Sequence, residues 1–265
     1  MKYSIQDHTF VLCAYGESPF LSECLDSLVS QSLTSKVLIS TSTPNAYIEQ
    51  VSSEFGVPVI ANEGNPSISH DWNCAISHAK TPLITIAHQD DVYSPNYSTE
   101  MLEHINASDR PLIFFSDYGE IRKGSFEDDA LILKVKRLLL RKIAEKGYVI
   151  STKEKRDILK FGSAICCPSV TYVMDNLTAP LFSDDMKCDL DWEAWERFSR
   201  LNGSFVYSPK ILMHHRIHEG SETTALIKDD TRSREDMIML RKFWPKSLAG
   251  VLGKLYSISM SSNSL

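Results

Sequence analysis

Between residues 9 and 117, short apolar runs alternate with amphipathic segments, and this alternation narrows the fold more than any other feature. Runs at 9–14, 36–40, 57–60, 83–87 and 111–117 are rich in branched apolar side chains, the pattern of strands buried on both faces. After the first run, Leu21, Leu25, Leu28 and Val29 recur at helical spacing, and Ser18 and Pro19 suit the start of that helix. Residues 46–55 and 97–105 read as further helices, and Trp72, Ala75, Ile76 and Ala79 share a helical face capped by Ser67 or Ser69. Such alternation predicts right-handed crossovers and a largely parallel sheet.

The run at 83–87 stops abruptly at His88, Gln89, Asp90 and Asp91. Open α/β sheets bind ligands beyond the carboxyl ends of their strands. Two adjacent carboxylates repel each other, which a hard divalent cation would relieve. A solvated turn closed by Pro95 is the other reading. Neither a G-x-x-x-x-G-K-[ST] loop nor a G-x-G-x-x-G turn follows the first strand, which disfavours P-loop and ordinary dinucleotide enzymes. A nucleotide held here would need a cation for its phosphates.

Past residue 117 the pattern changes. Residues 119–129 are polar and acidic, and 130–146 read as a helix mixing Leu131, Leu133, Val135, Leu138, Leu139 and Ile143 with Lys134, Lys136, Arg137, Arg141 and Lys142. It is either a surface helix with its apolar face on the core or a basic segment that meets an anionic acceptor or a membrane surface. Residues 161–172 suit an edge strand or a loop packed under the site. In 190–198, Trp192, Trp195 and Phe198 form a helical inner face, with Asp191 at the amino end, where the dipole favours a carboxylate. Residues 205–209 read as a short strand and 211–224 as a polar turn carrying His214, His215, Arg216 and His218. The tail suggests two helices broken near Pro245, either packed back on the domain or used for homodimerisation or membrane contact.

The 265 residues, 43% hydrophobic, suffice for one main domain, and a net charge of −6 argues against a nucleic-acid surface. Cys13, Cys24, Cys74, Cys166, Cys167 and Cys188 lack CxxC spacing, and the histidines lack the ligand spacing of structural zinc. No secretion signal opens the chain, so reduced thiols in the cytoplasm are expected. No apolar run approaches ~20 residues, so any membrane contact would be peripheral, at the inner face.

Five segments in order, FVLCAYGESPFLSECLDSLVSQSL, GNPSISHDWNCAISHA, IAHQDDVYSPNY, DLDWEAWERFS and HHRIHEGSETT, together resemble family 2 of the inverting glycosyltransferases, which have a GT-A fold. The resemblance implies an α/β fold with a Rossmann-like, mostly parallel central sheet flanked by helices, a smaller acceptor-side region and a helical C-terminal extension. Residues 1–117 would form the nucleotide-sugar half, 118–224 the acceptor and catalytic half, and 225–265 the extension. It also implies transfer of a sugar, with inversion, from a nucleotide-sugar donor, expected to be UDP-linked, to a glycan or lipid-linked saccharide, as in polysaccharide biosynthesis. Asp90 matches the last carboxylate of the D-x-D signature, ligating Mn or Mg with Asp91 and His218. Asp191 matches the catalytic aspartate, the general base. Cys13, Ala14, Tyr15, Glu17, Ser40, Thr41, Asp71, His88, Gln89, Asp90 and Arg216 fall to the donor site. The chain departs from the family pattern at His88, in the first D-x-D place, at Ser40-Thr41-Ser42, where an acid commonly holds the base or ribose, and at Leu190, in place of a Glu. A nucleotidyltransferase, a glycoside hydrolase using Asp91 and Asp191, and a non-catalytic glycan- or partner-binding module are the competing readings.

Overall fold

The computed structural model describes residues 2–218 and 231–261. β1 (His8–Ala14), α1 (Leu21–Val29), β2 (Lys36–Thr41), α2 (Ala46–Phe55), β3 (Val59–Ala61), α3 (Ile68–His78) and β4 (Leu83–His88) alternate as expected. Next come β5 (Val92–Tyr93), α4 (Tyr97–Ala107), β6 (Pro111–Arg122), β7 (Ser125–Glu127), α5 (Leu131–Lys146), β8 (Tyr148–Val149) and α6 (Thr152–Asp157). β9 (Val170–Val173), α7 (Leu190–Ser199), β10 (Ser204–Ile217), α8 (Thr231–Arg241) and α9 (Lys246–Ser261) complete the described chain.

Local chemistry sets the helix ends. Asn45 caps α2 by accepting from the Ile48 N–H at 2.9 Å, and Gly56 ends it at φ +65°, a left-handed turn that glycine adopts without strain. Of the two serines considered for α3, Ser67 is the cap, accepting from His70 N at 3.1 Å. Ser18 does not cap α1, whose N-cap is Phe20.

One sheet runs β3-β2-β1-β4-β9-β6-β10-β5, with β7 added on β6 and β8 on β10. β1 is parallel to β2 and β4, β2 to β3, and β6 to β10. Phe10 and Leu12 of β1 pack with Leu21, Leu25 and Leu28 of α1, while Val11 turns to the opposite core with Ala75, Ile76, Trp192 and Trp195. Both layers are built of buried apolar side chains, and each fully buried large one contributes of the order of 2–3 kcal/mol.

Three expectations change. The segment at 161–172 is not an edge: its end becomes β9, antiparallel and flanked by β4 and β6. The short strand at 205–209 and much of the supposed polar turn are one element, β10, whose polar half pairs with β6 through two register shifts and antiparallel with β5. The polar stretch after residue 117 continues β6 and returns as β7. The tail helices do pack back: Met239, Leu240 and Ala249 join the core shared with α7. Residues 219–224 of the last motif and the chain end at 262–265 lie outside the described residues.

Candidate active site

The parallel strands end in register. Cys13 of β1 pairs with Ser40 of β2 and with His88 of β4, and Ala14 with Thr41. Three elements that sequence places far apart therefore deliver their last residues to one line. Tyr15, just beyond it, is 61% exposed over this end of the sheet, and Glu17 is exposed in the same turn.

No acid stands at the end of β2, yet one arrives from α3. Asp71 accepts hydrogen bonds from Ser42 Oγ and, at 3.2 Å, from Asn62 Nδ2. Ser40 Oγ donates to Asn62 Oδ1 at 2.7 Å, closing a polar floor beneath the strand ends.

Adjacent carboxylates at the acidic corner take opposite roles because β5 turns the chain back along β10. Asp91 is fully buried and accepts from Arg216 N at 3.0 Å, with His215 Nδ1 at 2.9 Å. Burial opposes its charge, but His215, His88 and the Arg216 N–H together hold the carboxyl below its usual range, while Asp91 raises the His215 imidazole. Asp90 is half-buried at the cleft mouth, receiving Ser18 Oγ at 3.0 Å on one oxygen and lying 3.0 Å from His218 Nε2 with the other.

Gln89 and Arg216 shape this corner from behind. The Gln89 amide exchanges two hydrogen bonds with the backbone of Tyr15, at 3.0 and 3.1 Å. Arg216 donates to the Asp90 carbonyl and to Glu23, with its guanidinium 4.3 Å from the Phe20 ring centre. His88 stacks on Trp72 at 5.2 Å between ring centres; burial lowers its pKa, and its Nε2 has no hydrogen-bond partner among the described residues.

Asp191 sits in the first turn of α7, whose aromatic face buries Trp192, Trp195 and Phe198. Its Oδ1 accepts from Trp192 N at 2.6 Å, and burial raises its pKa despite the opposing charges of Arg232 and Lys136. Cys166 is near enough to feel both carboxylates: burial lifts its thiol, Lys136 opposes that, and Asp91 and Asp191 lift it further. Leu190, where a Glu was the family pattern, is core.

Sequence reasoning missed the support that α8 gives this helix. Glu235 accepts from the backbone N–H groups of Lys187, Cys188 and Asp189 at 2.7–3.0 Å, fixing the entry to α7. Next to it, burial and the nearby Asp236 charge raise the Asp189 carboxyl. The only sequence signal was an acidic pair in an otherwise basic stretch, 232–241.

Among the described residues, no group of three or more His, Cys, Asp or Glu side chains is placed to hold a metal ion. Asp90 and His218 form a two-donor set, which fits an ion of the Mg or Mn type, since such ions keep waters and take phosphate oxygens from substrate.

A single, mostly parallel sheet flanked by helices, with an acid corner at its strand ends, is the GT-A class of glycosyltransferase fold. The model of Glycosyl transferase family 2 matches residues 9–171, and the chain belongs to that family. An uncharacterized glycosyltransferase of Rickettsia prowazekii, RP339, is 22% identical over 240 residues, 86% of this chain and 69% of that protein. Among solved structures, mannosyltransferase PcManGT from Pyrobaculum calidifontis, in complex with GDP-Man and Mn2+, is similar with a TM-score of 0.62 at 11% identity, covering 95% of this chain and 69% of that one. S. aureus TarS 1–349 gives 0.59 at 12%, covering 95% and 69%. Glucosyl-3-phosphoglycerate synthase from Mycobacterium tuberculosis, with Mn2+, UDP and phosphoglyceric acid, gives 0.57 at 13%, covering 90% and 79%.

Proposed function

We propose that this glycosyltransferase moves a sugar, with inversion, from a UDP-linked donor to a saccharide acceptor, glycan or lipid-linked, as a hexosyltransferase of polysaccharide biosynthesis. The observation that carries the reading is the shared neighbourhood of Asp91 and Asp191 around Cys166, which supports one cleft bounded by the acid corner and the catalytic helix. Residues 1–117 would bind the donor, while 118–224 and the helices of 225–265 would form the acceptor side.

Cys13, Ala14, Tyr15, Ser40 and Thr41 line up to receive the base, with Asp71 able to accept from a base N–H. Asp90 and His218 would hold Mn or Mg; when bound, such an ion supplies Lewis-acid stabilisation to a departing diphosphate. Asp91, Gln89 and Arg216 hold the corner in place. Asp191 takes the proton of the acceptor hydroxyl as it attacks opposite the leaving phosphate.

Thermal-shift screening of nucleoside diphosphates with Mn tests the donor site, since bound ligand raises stability by mass action. A donor-hydrolysis assay then decides between enzyme and glycan-binding module: slow release of nucleoside diphosphate supports transfer, and silence across donors alongside retained glycan binding supports the module. Asp90→Ala is expected to lose the Mn-dependent part of nucleotide affinity in calorimetry with and without chelator. An unchanged Mn response in that variant contradicts the assignment.

The outer face of α5 shows Leu131, Val135 and Leu138 to solvent, at 77, 45 and 66% exposure, beside exposed Lys134, Arg141 and Lys142. No helix among the described residues is long and apolar enough to cross a membrane. This stripe suits shallow contact with an anionic bilayer, which would bring a cytoplasmic enzyme to a lipid-linked acceptor at the inner face. Flotation with phosphatidylglycerol vesicles should retain the protein and lose Leu131→Glu/Leu138→Glu; equal recovery of both counts against the contact.

A further inference from the structure

α5 turns two cations inward, and they meet different surroundings. Arg137 pairs with Asp117 at 2.6 Å and thereby ties the helix to β6. Lys136 has no such carboxylate: its ammonium donates to Tyr118 Oη at 2.7 Å and lies 5.2 Å from that ring's centre, with no ion pair within 4 Å among the described residues. An ammonium offers three donors, and the hydrogen bond to Tyr118 uses one of them. Burial depresses its pKa, and the charged groups that act on it are Asp191, Arg232 and Glu120. His215, the partner of Asp91, feels Lys136 from the other side.

These neighbours fix its position. Held on Tyr118 of β6, Lys136 is near enough to interact with both Asp191 and His215 of the acid corner. In the transferase reading, on which this inference rests, the bond between sugar and phosphate breaks between that corner and Asp191. The corner offers one outward carboxylate, Asp90, and its guanidinium, Arg216, is taken up by the Asp90 carbonyl and Glu23, so charge building on a departing diphosphate has Lys136 as its further cation. Lysine meets phosphate as a compact point charge whose donors rotate to suit, and a donor already placed where charge develops costs no reorganisation.

We propose that Lys136 holds a substrate phosphate, that of the donor's diphosphate at the scissile bond, with Tyr118 positioning the ammonium. The same chemistry would serve an acceptor phosphate, and affinity measurements separate the two sources.

The test needs no turnover. Binding of UDP, UMP and inorganic phosphate is measured by calorimetry in chelator for the full chain, Lys136→Gln and Lys136→Arg, with thermal unfolding as the folding control. The expected result is a loss of at least about tenfold in UDP affinity for Lys136→Gln, as for removal of one charged hydrogen bond, with UMP affinity unchanged and most of the loss restored in Lys136→Arg. Unchanged UDP affinity together with weakened inorganic-phosphate binding to the UDP-saturated protein assigns the phosphate to the acceptor and still supports the site. Equal affinities for UDP and inorganic phosphate in wild type and folded Lys136→Gln overturn it, leaving Lys136 as an internal counter-charge to Asp191 and Glu120. If UDP does not bind the wild type at all, the donor assignment fails on its own, and inorganic phosphate and pyrophosphate then read Lys136 directly: weaker binding to Lys136→Gln supports the site, and equal binding overturns it.

Discussion

Asp191→Asn is expected to slow sugar transfer about 10²- to 10⁴-fold, the range a general base supplies, while nucleotide affinity stays within about twofold. The amide keeps the shape of the carboxylate and its hydrogen bond from Trp192 N, but it cannot take a proton. The effect therefore belongs in kcat. Burial raises the Asp191 pKa, which strengthens it as a base and moves the acid limb of the pH–rate profile. That limb should lie above the ordinary aspartate value of about 3.9, with activity rising as pH climbs through it, and it should vanish from the residual activity of the variant. The same shift means that the folded state holds this proton more tightly than the unfolded chain, so Asp191 withdraws stability as pH rises. Asp191→Asn should accordingly unfold at a slightly higher temperature near neutral pH. Loss of nucleotide binding in a folded variant would remove Asp191 from the role of base.

Asp91→Ala is expected to cost about 3 kcal/mol of folding stability, toward the low end for breaking a buried charged pair because His215 can shed its proton. The substitution strands the Arg216 N–H that Asp91 accepts and removes the anchor of β10 beside the corner. Linkage sets a pH window. The lowered Asp91 pKa gives stability that is lost as pH falls through it, and the raised His215 pKa gives stability that is lost as pH rises through it. Wild type should thus be favoured over the variant most strongly between the two, in urea unfolding across pH. A difference below about 0.5 kcal/mol, the usual range for surface changes, would mean that the pair is not structural.

Much of the fold was legible because burial on two faces leaves a mark in composition: residues 83–87 read as an interior strand, and the serines at 67 and 69 marked the start of α3, although only the structure chose Ser67. The tryptophan face of α7 was equally plain. What escaped was pairing. Nothing in 170–173 says that its strand runs antiparallel between β4 and β6, since periodicity reports how buried a strand is and not which way its neighbours run. His214, His215 and Arg216 looked like a turn because their polarity was read without partners; Asp91 and Asp128 supply those partners from 124 and 86 residues away.

The site divided in the same manner. Asp90 and Asp91 are indistinguishable as letters, and only the return of β10 makes one outward and the other internal. Gln89, assigned to the donor, spends its amide on the Tyr15 backbone. Glu235 could not have been linked to α7 at all, because a carboxylate that gathers three backbone N–H groups is defined by where those groups end up.

A crystal structure with uridine diphosphate and Mn tests the central claim most directly. The account predicts the base over the ends of β1 and β2, the diphosphate reaching Asp90 and Lys136, and the Asp191 carboxylate facing its terminal phosphate across a gap wide enough for a sugar. A nucleotide seated elsewhere, or an Asp191 carboxylate turned away from the terminal phosphate, would contradict it.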